Sequence, residues 1–462
     1  MPNGFPTPTV IAEQNPLEAT GVLGPRVNPG VRSTSGETQR HHSPRVLCVS
    51  PVLPQDVRHQ CQALDNQGLL DKVVCSMAYV EGGRTEKTLL LMDRVLGTRT
   101  LRATERRRLS AISPRAVHSL CWPELSTRLG GRLRLLQRGP KATDRYLGRI
   151  DHAASRLVRS SIKLVIARED SCLRTFEAAK RVGAMCLYDL PTTYYAKVRA
   201  IMEREALEFP GASLEDSWEQ EYKQERNDRK DAELMAANHV LVPSQFARTS
   251  LIDAGVPVER ITAIPFGCQP LQTGFQRRSS NGGKKVFLYA GHLSVRKGTP
   301  RLLRAWKRLG AHRSHCLRLV GSMHLSPRFF SDYAGLVEYI PQIPRAELGK
   351  HYAASYAFVM PAAAEGFAVV ITEALSHGLP VLASENSGAA GFMTHEKEGL
   401  LYPFEDEERL CAAMDHMLSH PEQVAEMSEA ASTLAERWTW QHYRVAFIHL
   451  IGKLLSGKDG TA

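Results

Sequence analysis

From Arg45 onward, short apolar runs alternate with longer stretches in which apolar positions recur at helical spacing. The series begins "RVLCVSP", "DVRHQCQALDNQGLL", "KVVCSM". It resumes with "IKLVIA", a helix near "CLRTFEAAKRVG", the strand "AMCLYD", a long charged helical span from Thr193 to Ala237, and "HVLVPS". The short runs are apolar throughout, as parallel strands covered by helices on both faces must be. The segment 269–285, "QPLQTGFQRRSSNGGKK", breaks the rhythm with Gly, Ser and Gln and reads as a linker. A second series follows: "VFLYAG", a helix over 299–309, "LRLVG", "VEYI", "YAFVMP", a helix over 369–377, "LPVLAS", "GLLY", then helices to about 437. This pattern predicts an α/β fold with two parallel-sheet domains, 45–268 and 286–438. A last helix, within 439–462, carries apolar residues at helical spacing, with Trp438, Trp440 and Tyr443 near its start. Ordinary packing is the expected role of those aromatics, ahead of a lipid-facing one.

At 462 residues the chain exceeds what one hydrophobic core supports, which agrees with two domains. Residues 1–44 are rich in Pro, Gly, Ser and Thr and lack sustained periodicity, so a disordered leader is expected there. The formal charge of +11 favours anionic partners without choosing among them. Nine cysteines lie scattered without a CxxC pair and read as buried thiols of a reducing compartment. With no apolar run of membrane length and no secretory pattern at the start, a cytoplasmic location is expected.

Between 99 and 149, twelve arginines and one lysine face only three acidic residues. A solvated insertion explains this segment as well as a functional surface does. The functional version is a peripheral contact with acidic lipid headgroups or with an anionic acceptor. Nucleic acid is disfavoured, because the arginines lack interleaved aromatics that could stack on bases.

The stretch "PAAAEGFAVVITEALSHGLPV" places Glu365 and Glu373 eight positions apart across a Gly-Phe step. Strand, small-residue loop and helix start near Ala368 form a ready anion site, where Gly366 would let a ligand approach the main chain. With Glu365 at the mouth and Glu373 about two turns inside, the carboxylates stand too far apart for a retaining glycosidase pair. They suit two contacts on one extended ligand. In "YAGHLSVRKGTPRLLRAWKRL", Gly291 ends a strand, and Arg296 and Lys297 stand where the next helix begins. Two cations at the carboxyl end of a strand, beside a helix N-terminus, suit a pyrophosphate.

The second domain resembles the nucleotide-binding half of retaining GT-B glycosyltransferases, especially glycosyltransferase family 4. The resemblance rests on "GHLSVRKG", on Glu365 to Glu373 as the E-x7-E signature, and on "EALSHGLPVLAS" followed by "EGLLYPFED". It covers roughly 160–445, including the weaker match "VPSQFARTSLIDAGVPVERITAIPFG". It implies a GT-B architecture, two Rossmann-like domains facing a cleft, with the closing helix returning to the first. It also implies that Arg296 and Lys297 neutralise the donor diphosphate, Glu373 holds the ribose, and Glu365 contacts the transferred sugar. Backbone amides near Gly366 and Phe367 would assist, with Gly291 and His292 on the donor side. The implied reaction is metal-independent sugar transfer from a nucleotide-sugar to an acceptor hydroxyl, with retention and no cofactor, a UDP-sugar being mildly preferred over a GDP-sugar.

The chain departs from the family at His292, where arginine is common, and at "YDLPTTYYAK", where a histidine is usual. Asp189, Thr192 and Thr193 occupy that acceptor-side neighbourhood. The acceptor is left open as a glycan, a lipid-linked sugar or a small molecule. A noncatalytic sugar-nucleotide or glycan binder and a GT-B epimerase are the competing readings. The absence of GxGxxG after a strand and of GxxxxGK[ST] disfavours a nicotinamide oxidoreductase and a P-loop ATPase.

Overall fold

The computed structural model describes residues 44–96, 107–109, 112–120, 140–214, 223–269 and 284–457. The expected leader, nearly all of the linker and most of the basic segment lie outside these residues. Two parallel sheets organise the chain. The first runs in the order β3-β2-β1-β4-β5-β6-β7, with β1 Arg45–Val49, β2 Leu70–Cys75, β3 Val117–Ser119, β4 Ile162–Arg168, β5 Met185–Asp189, β6 His239–Val242 and β7 Ile261–Ala263. The pairs from β3 through β6 are parallel. The second sheet, β10-β9-β8-β11-β12-β13, is parallel throughout. Its strands are β8 Val286–Ala290, β9 Cys316–Val320, β10 Glu338–Ile340, β11 Ala357–Met360, β12 Val381–Ser384 and β13 Gly399–Tyr402. The central strands are buried at almost every position, which is why their sequences show unbroken apolar runs.

Contacts divide the chain into two compact units that do not follow the sequence halves. One is built from the described residues of Pro191–Tyr222 and Val242–Tyr443, the other from those of Gly24–Leu190, Lys223–Leu241 and Arg444–Ala462. The last helix, Trp440–Ser456, changes unit at Tyr443. In the unit that includes its C-terminal part, Arg444 Nη1 lies 3.0 Å from His59 Nδ1 on helix Gln55–Asn66. Trp438, Trp440 and Tyr443 are buried, so these aromatics pack rather than face outward.

Within the charged helical span expected from Thr193 to Ala237, the described residues form the helices Tyr195–Glu208 and Gln224–Ala236. Phe209-Pro210-Gly211 ends the first. Pro210 cannot donate a helical hydrogen bond, and Gly211 takes φ +73°, a conformation open to glycine. Helix Tyr195–Glu208 docks on helix Thr299–Leu309 through the buried pair Arg301–Glu205, 2.6 Å apart. The Arg301 guanidinium also lies over Phe209 and Phe404, at 5.5 and 5.0 Å. Among the described residues, seven cysteines are buried and outside any disulfide, and Cys411 is half-buried.

Candidate functional site

In the second sheet the chain moves outward from β8 through β9 to β10, then returns to start β11 on the other side of β8. The β8–β11 pair is thus the topological switch point of this sheet, the place at the carboxyl ends of the strands where open α/β sheets commonly bind ligands. Both sequence-selected segments sit at this edge, one after β8 and one after β11. Lys297 Nζ meets Glu365 Oε1 at 2.6 Å, with side chains 20% and 14% exposed, so a cation and a carboxylate span the switch point. Arg296 Nε donates to the Ala364 carbonyl at 3.2 Å, and the Ala363 N–H donates to the Arg296 carbonyl at 3.0 Å. These bonds tie the two loops to each other through main chain as well as through charge.

Close packing fixes the loops further. Gly298 has φ +69°, and a Cβ there would stand 1.7 Å from the Pro361 carbonyl oxygen, so only glycine fits the turn. A Cβ on Gly366 would meet the Pro191 carbonyl oxygen at 2.1 Å and Thr192 Cα at 2.6 Å. Gly366 is therefore the point at which segment 191–193 presses on the Glu365 loop. Asn386, after β12, donates from Nδ2 to the Ala363 carbonyl at 2.8 Å, and its own carbonyl accepts the Glu365 N–H at 3.0 Å. The Ala368 N–H is taken by the Ser387 carbonyl at 3.0 Å. Among the described residues the N–H groups of Gly366 and Phe367 have no acceptor, and they precede helix Val369–Ser376. Orphan donors at a helix entrance are suited to an anion or a carbonyl.

The Phe367 ring is committed elsewhere, packed against Phe266 and Phe392 at centroid distances of 5.4 and 5.5 Å. Its main chain is the part left for a ligand. Glu373 lies about one turn into its helix rather than two, because it is the fifth residue of helix Val369–Ser376 and the Gly366–Ala368 stretch before it is not helical. Its carboxylate accepts from the Tyr352 hydroxyl at 3.0 Å and pairs with Arg345. Neither partner was named from the sequence.

Beside the β8 loop, His292 Nδ1 contacts the Ser322 hydroxyl, which lies 3.2 Å from His324 Nε2. The two imidazoles meet edge to face at 4.9 Å. Burial, then His324 and Lys297, hold His292 below the usual histidine range, while Glu365 pulls the other way. Gly291 takes φ +148°, a conformation open to glycine, and its N–H donates to the Val320 carbonyl at 2.9 Å.

Of the acceptor-side candidates, Asp189 ends β5 in the other unit and is engaged there: Arg168 Nη1 reaches it at 3.2 Å and Asp56 at 2.6 Å. Burial pushes the Asp189 carboxyl up to about 6, Arg168 opposing and the Asp56 charge adding. Thr192 is the residue brought against Gly366, and the buried Thr193 hydroxyl has no partner among the described residues. Also among the described residues, no group of three or more His, Cys, Asp or Glu is arranged to hold a metal ion. No described helix is long and apolar enough to cross a membrane.

Residues 272–433 match the family model of Glycosyl transferases group 1. The chain is 31% identical over 214 residues to a GDP-mannose-dependent alpha-mannosyltransferase of Mycobacterium tuberculosis, covering 44% of this chain and 53% of the relative. It is 26% identical over 245 residues to the GDP-mannose-dependent alpha-(1-6)-phosphatidylinositol monomannoside mannosyltransferase of Mycolicibacterium smegmatis, covering 48% and 63%. An uncharacterized glycosyltransferase of Haemophilus influenzae is 27% identical, over 33% of this chain and 44% of its own. The chain thus spans about half the length of such curated relatives.

Solved structures extend the likeness to the whole fold. Anabaena HepE in complex with UDP superimposes with a TM-score of 0.52 at 16% identity, covering 89% of this chain and all (100%) of its own. The alpha,alpha-trehalose-phosphate synthase (UDP-forming) of Burkholderia vietnamiensis gives 0.59 at 12% identity, covering 91% and 100%. The architecture is GT-B, with two Rossmann-like parallel-sheet domains.

Proposed function

We propose that the protein is a glycosyltransferase that takes a sugar from a nucleoside-diphosphate-sugar and transfers it to an acceptor hydroxyl, with retention and without a metal. The observation that carries this reading is the Lys297–Glu365 pair, which spans the switch point of the second sheet at 2.6 Å. Breaking a sugar–phosphate bond builds negative charge on the leaving diphosphate and positive character on the sugar. A fixed cation and a fixed carboxylate side by side match those two developing charges. Lys297, with Arg296 beside it, would take the diphosphate, the amides of Gly366 and Phe367 would add donors, and Glu365 would accept from hydroxyls of the transferred sugar. Glu373 would receive the ribose. In the free protein Lys297 and Glu365 satisfy each other, and a donor entering between them would divide the pair.

Retention follows from attack on the face the leaving group departs, with the diphosphate receiving the acceptor proton. Side-chain cations at the diphosphate are the reason for proposing metal independence, which predicts activity unchanged by a chelator. The names of the mycobacterial relatives make GDP-mannose the first donor to try, and the UDP complex of the Anabaena neighbour makes UDP-sugars the second. Segment 99–149 is retained as a proposed contact for acidic lipid or an anionic acceptor. The test is calorimetric titration with GDP-mannose, UDP-glucose and ADP-glucose, followed by nucleotide release. Saturable binding of one donor, with release that Lys297→Ala abolishes, supports transfer. Binding with no release in the presence of any acceptor would leave a sugar-nucleotide sensor in its place.

A further inference from the structure

Glu373 is held from three directions, and the three holds differ in kind. The Tyr352 hydroxyl donates to Oε2 at 3.0 Å from a side chain that is almost fully buried, with the residue 2% exposed. Its ring is stacked on His377 at 5.1 Å and tilted against Phe358 of β11 at 5.8 Å, so the hydroxyl has little freedom to move. His377 Nδ1 in turn lies 2.8 Å from the Glu373 carbonyl, which fixes the main chain of the same residue. Arg345 takes Oε1, but its side chain is 61% exposed. It also opens helix Arg345–Ala353, where a cation is disfavoured by the helix dipole. One carboxylate thus has a rigid buried donor on one oxygen and a loosely held cation on the other.

A carboxylate offers about four lone-pair sites over its two oxygens. Tyr352 uses one on Oε2 and leaves the second. Arg345 covers Oε1 from the solvent side. A vicinal diol needs one acceptor site on each oxygen at a fixed orientation, which is what remains once the arginine swings away. We propose that Tyr352 is the positioning residue that orients Glu373 to accept both hydroxyls of the donor ribose, with Arg345 a displaceable occupant of that site. The inference rests on the reading in which Glu373 receives the ribose. Burial, and the Glu373 charge beside it, push the Tyr352 phenol well above its ordinary range, so it stays a donor at working pH.

The test compares calorimetric affinities of wild type, Tyr352→Phe, Arg345→Ala and Glu373→Gln for GDP and UDP and for their 2′,3′-dideoxy counterparts. Hydrogen bonds to charged groups are typically worth enough that Tyr352→Phe is expected to weaken the ribonucleotide about tenfold. The dideoxy nucleotide should then bind wild type and Tyr352→Phe within about twofold of each other, because the hydroxyls that read the carboxylate are gone. Arg345→Ala should bind the ribonucleotide at least as tightly as wild type. Unchanged ribonucleotide affinity in Tyr352→Phe, or equal losses for both nucleotides, overturns the positioning role. An Arg345→Ala loss as large as that of Glu373→Gln overturns the displaceable role. If Glu373→Gln itself binds both nucleotides like wild type, the ribose reading fails, and if wild type binds neither, the functional reading fails with it.

Discussion

Lys297 and Glu365 stand 68 positions apart in the chain and 2.6 Å apart in space. Each was legible in the sequence as a chemical type beside a glycine turn; that they meet was not, because their contact depends on which strands become neighbours. The same limit hid Asn386, Tyr352 and Arg345, whose value lies in distant partners rather than in any local motif. Asp189 was legible as a polar residue at a strand end, yet its carboxylate is occupied by Arg168. At this scale two substitutions are informative. Lys297→Ala should lower kcat by about a hundredfold or more, the usual consequence of losing one preorganised charge at a developing anion, with melting temperature near wild type. Gly298→Ala should instead destabilise the fold by about 2–4 kcal/mol in urea unfolding, since a Cβ 1.7 Å from the Pro361 oxygen at φ +69° adds overpacking to backbone strain.

Helix Gln224–Ala236 shows how an element is held by a group the sequence does not advertise. Its Glu233 is fully buried and accepts the N–H groups of Asp170 and Cys172 at 2.8 and 3.1 Å, closing the turn between β4 and helix Leu173–Arg181. Burial pushes its carboxyl up to about 7, against the two backbone N–H groups that favour the charged form. A folded value above the unfolded 4.5 means that the fold prefers the protonated group. Its contribution is fully present below about pH 4.5 and is lost as pH rises through about 7, an effect of up to about 3 kcal/mol. Glu233→Gln should therefore flatten the difference in unfolding free energy between pH 5 and pH 8 relative to wild type, as read by urea titration at both values. A parallel pH slope in the variant would contradict this. Strands were the most readable elements because both faces are buried. The break at Phe209-Pro210-Gly211 was overrun by the charged pattern on either side, and only the packing of Arg301 on Phe209 and Glu205 gives that break its purpose.

At the scale of the molecule, two parallel sheets were legible from the alternation of short apolar runs with amphipathic stretches, a periodic feature of the chain, whereas the GT-B architecture was implied by the resemblance that the Glu365–Glu373 spacing helps to carry. The way compact units cut across the sequence was not legible: 191–214 clusters with the second sheet, and the chain after Tyr443 with the first. That clustering sets segment 191–193 against Gly366, beside the carboxylate proposed to handle the transferred sugar. Gly366→Ala should consequently impair donor turnover and stability together, measured as a joint fall in kcat and melting temperature, whereas Lys297→Ala should separate them.

The central claim is that the cation and carboxylate at the β8–β11 switch point act on a nucleotide-sugar. Nucleotide release from GDP-mannose and UDP-glucose, with and without a chelator, comparing wild type with Lys297→Ala and Glu365→Gln, tests it most directly. The account expects saturable release from one donor, insensitive to the chelator and lost in both variants while their melting temperatures hold. Release that both variants retain, or a wild type that binds neither donor, would contradict it.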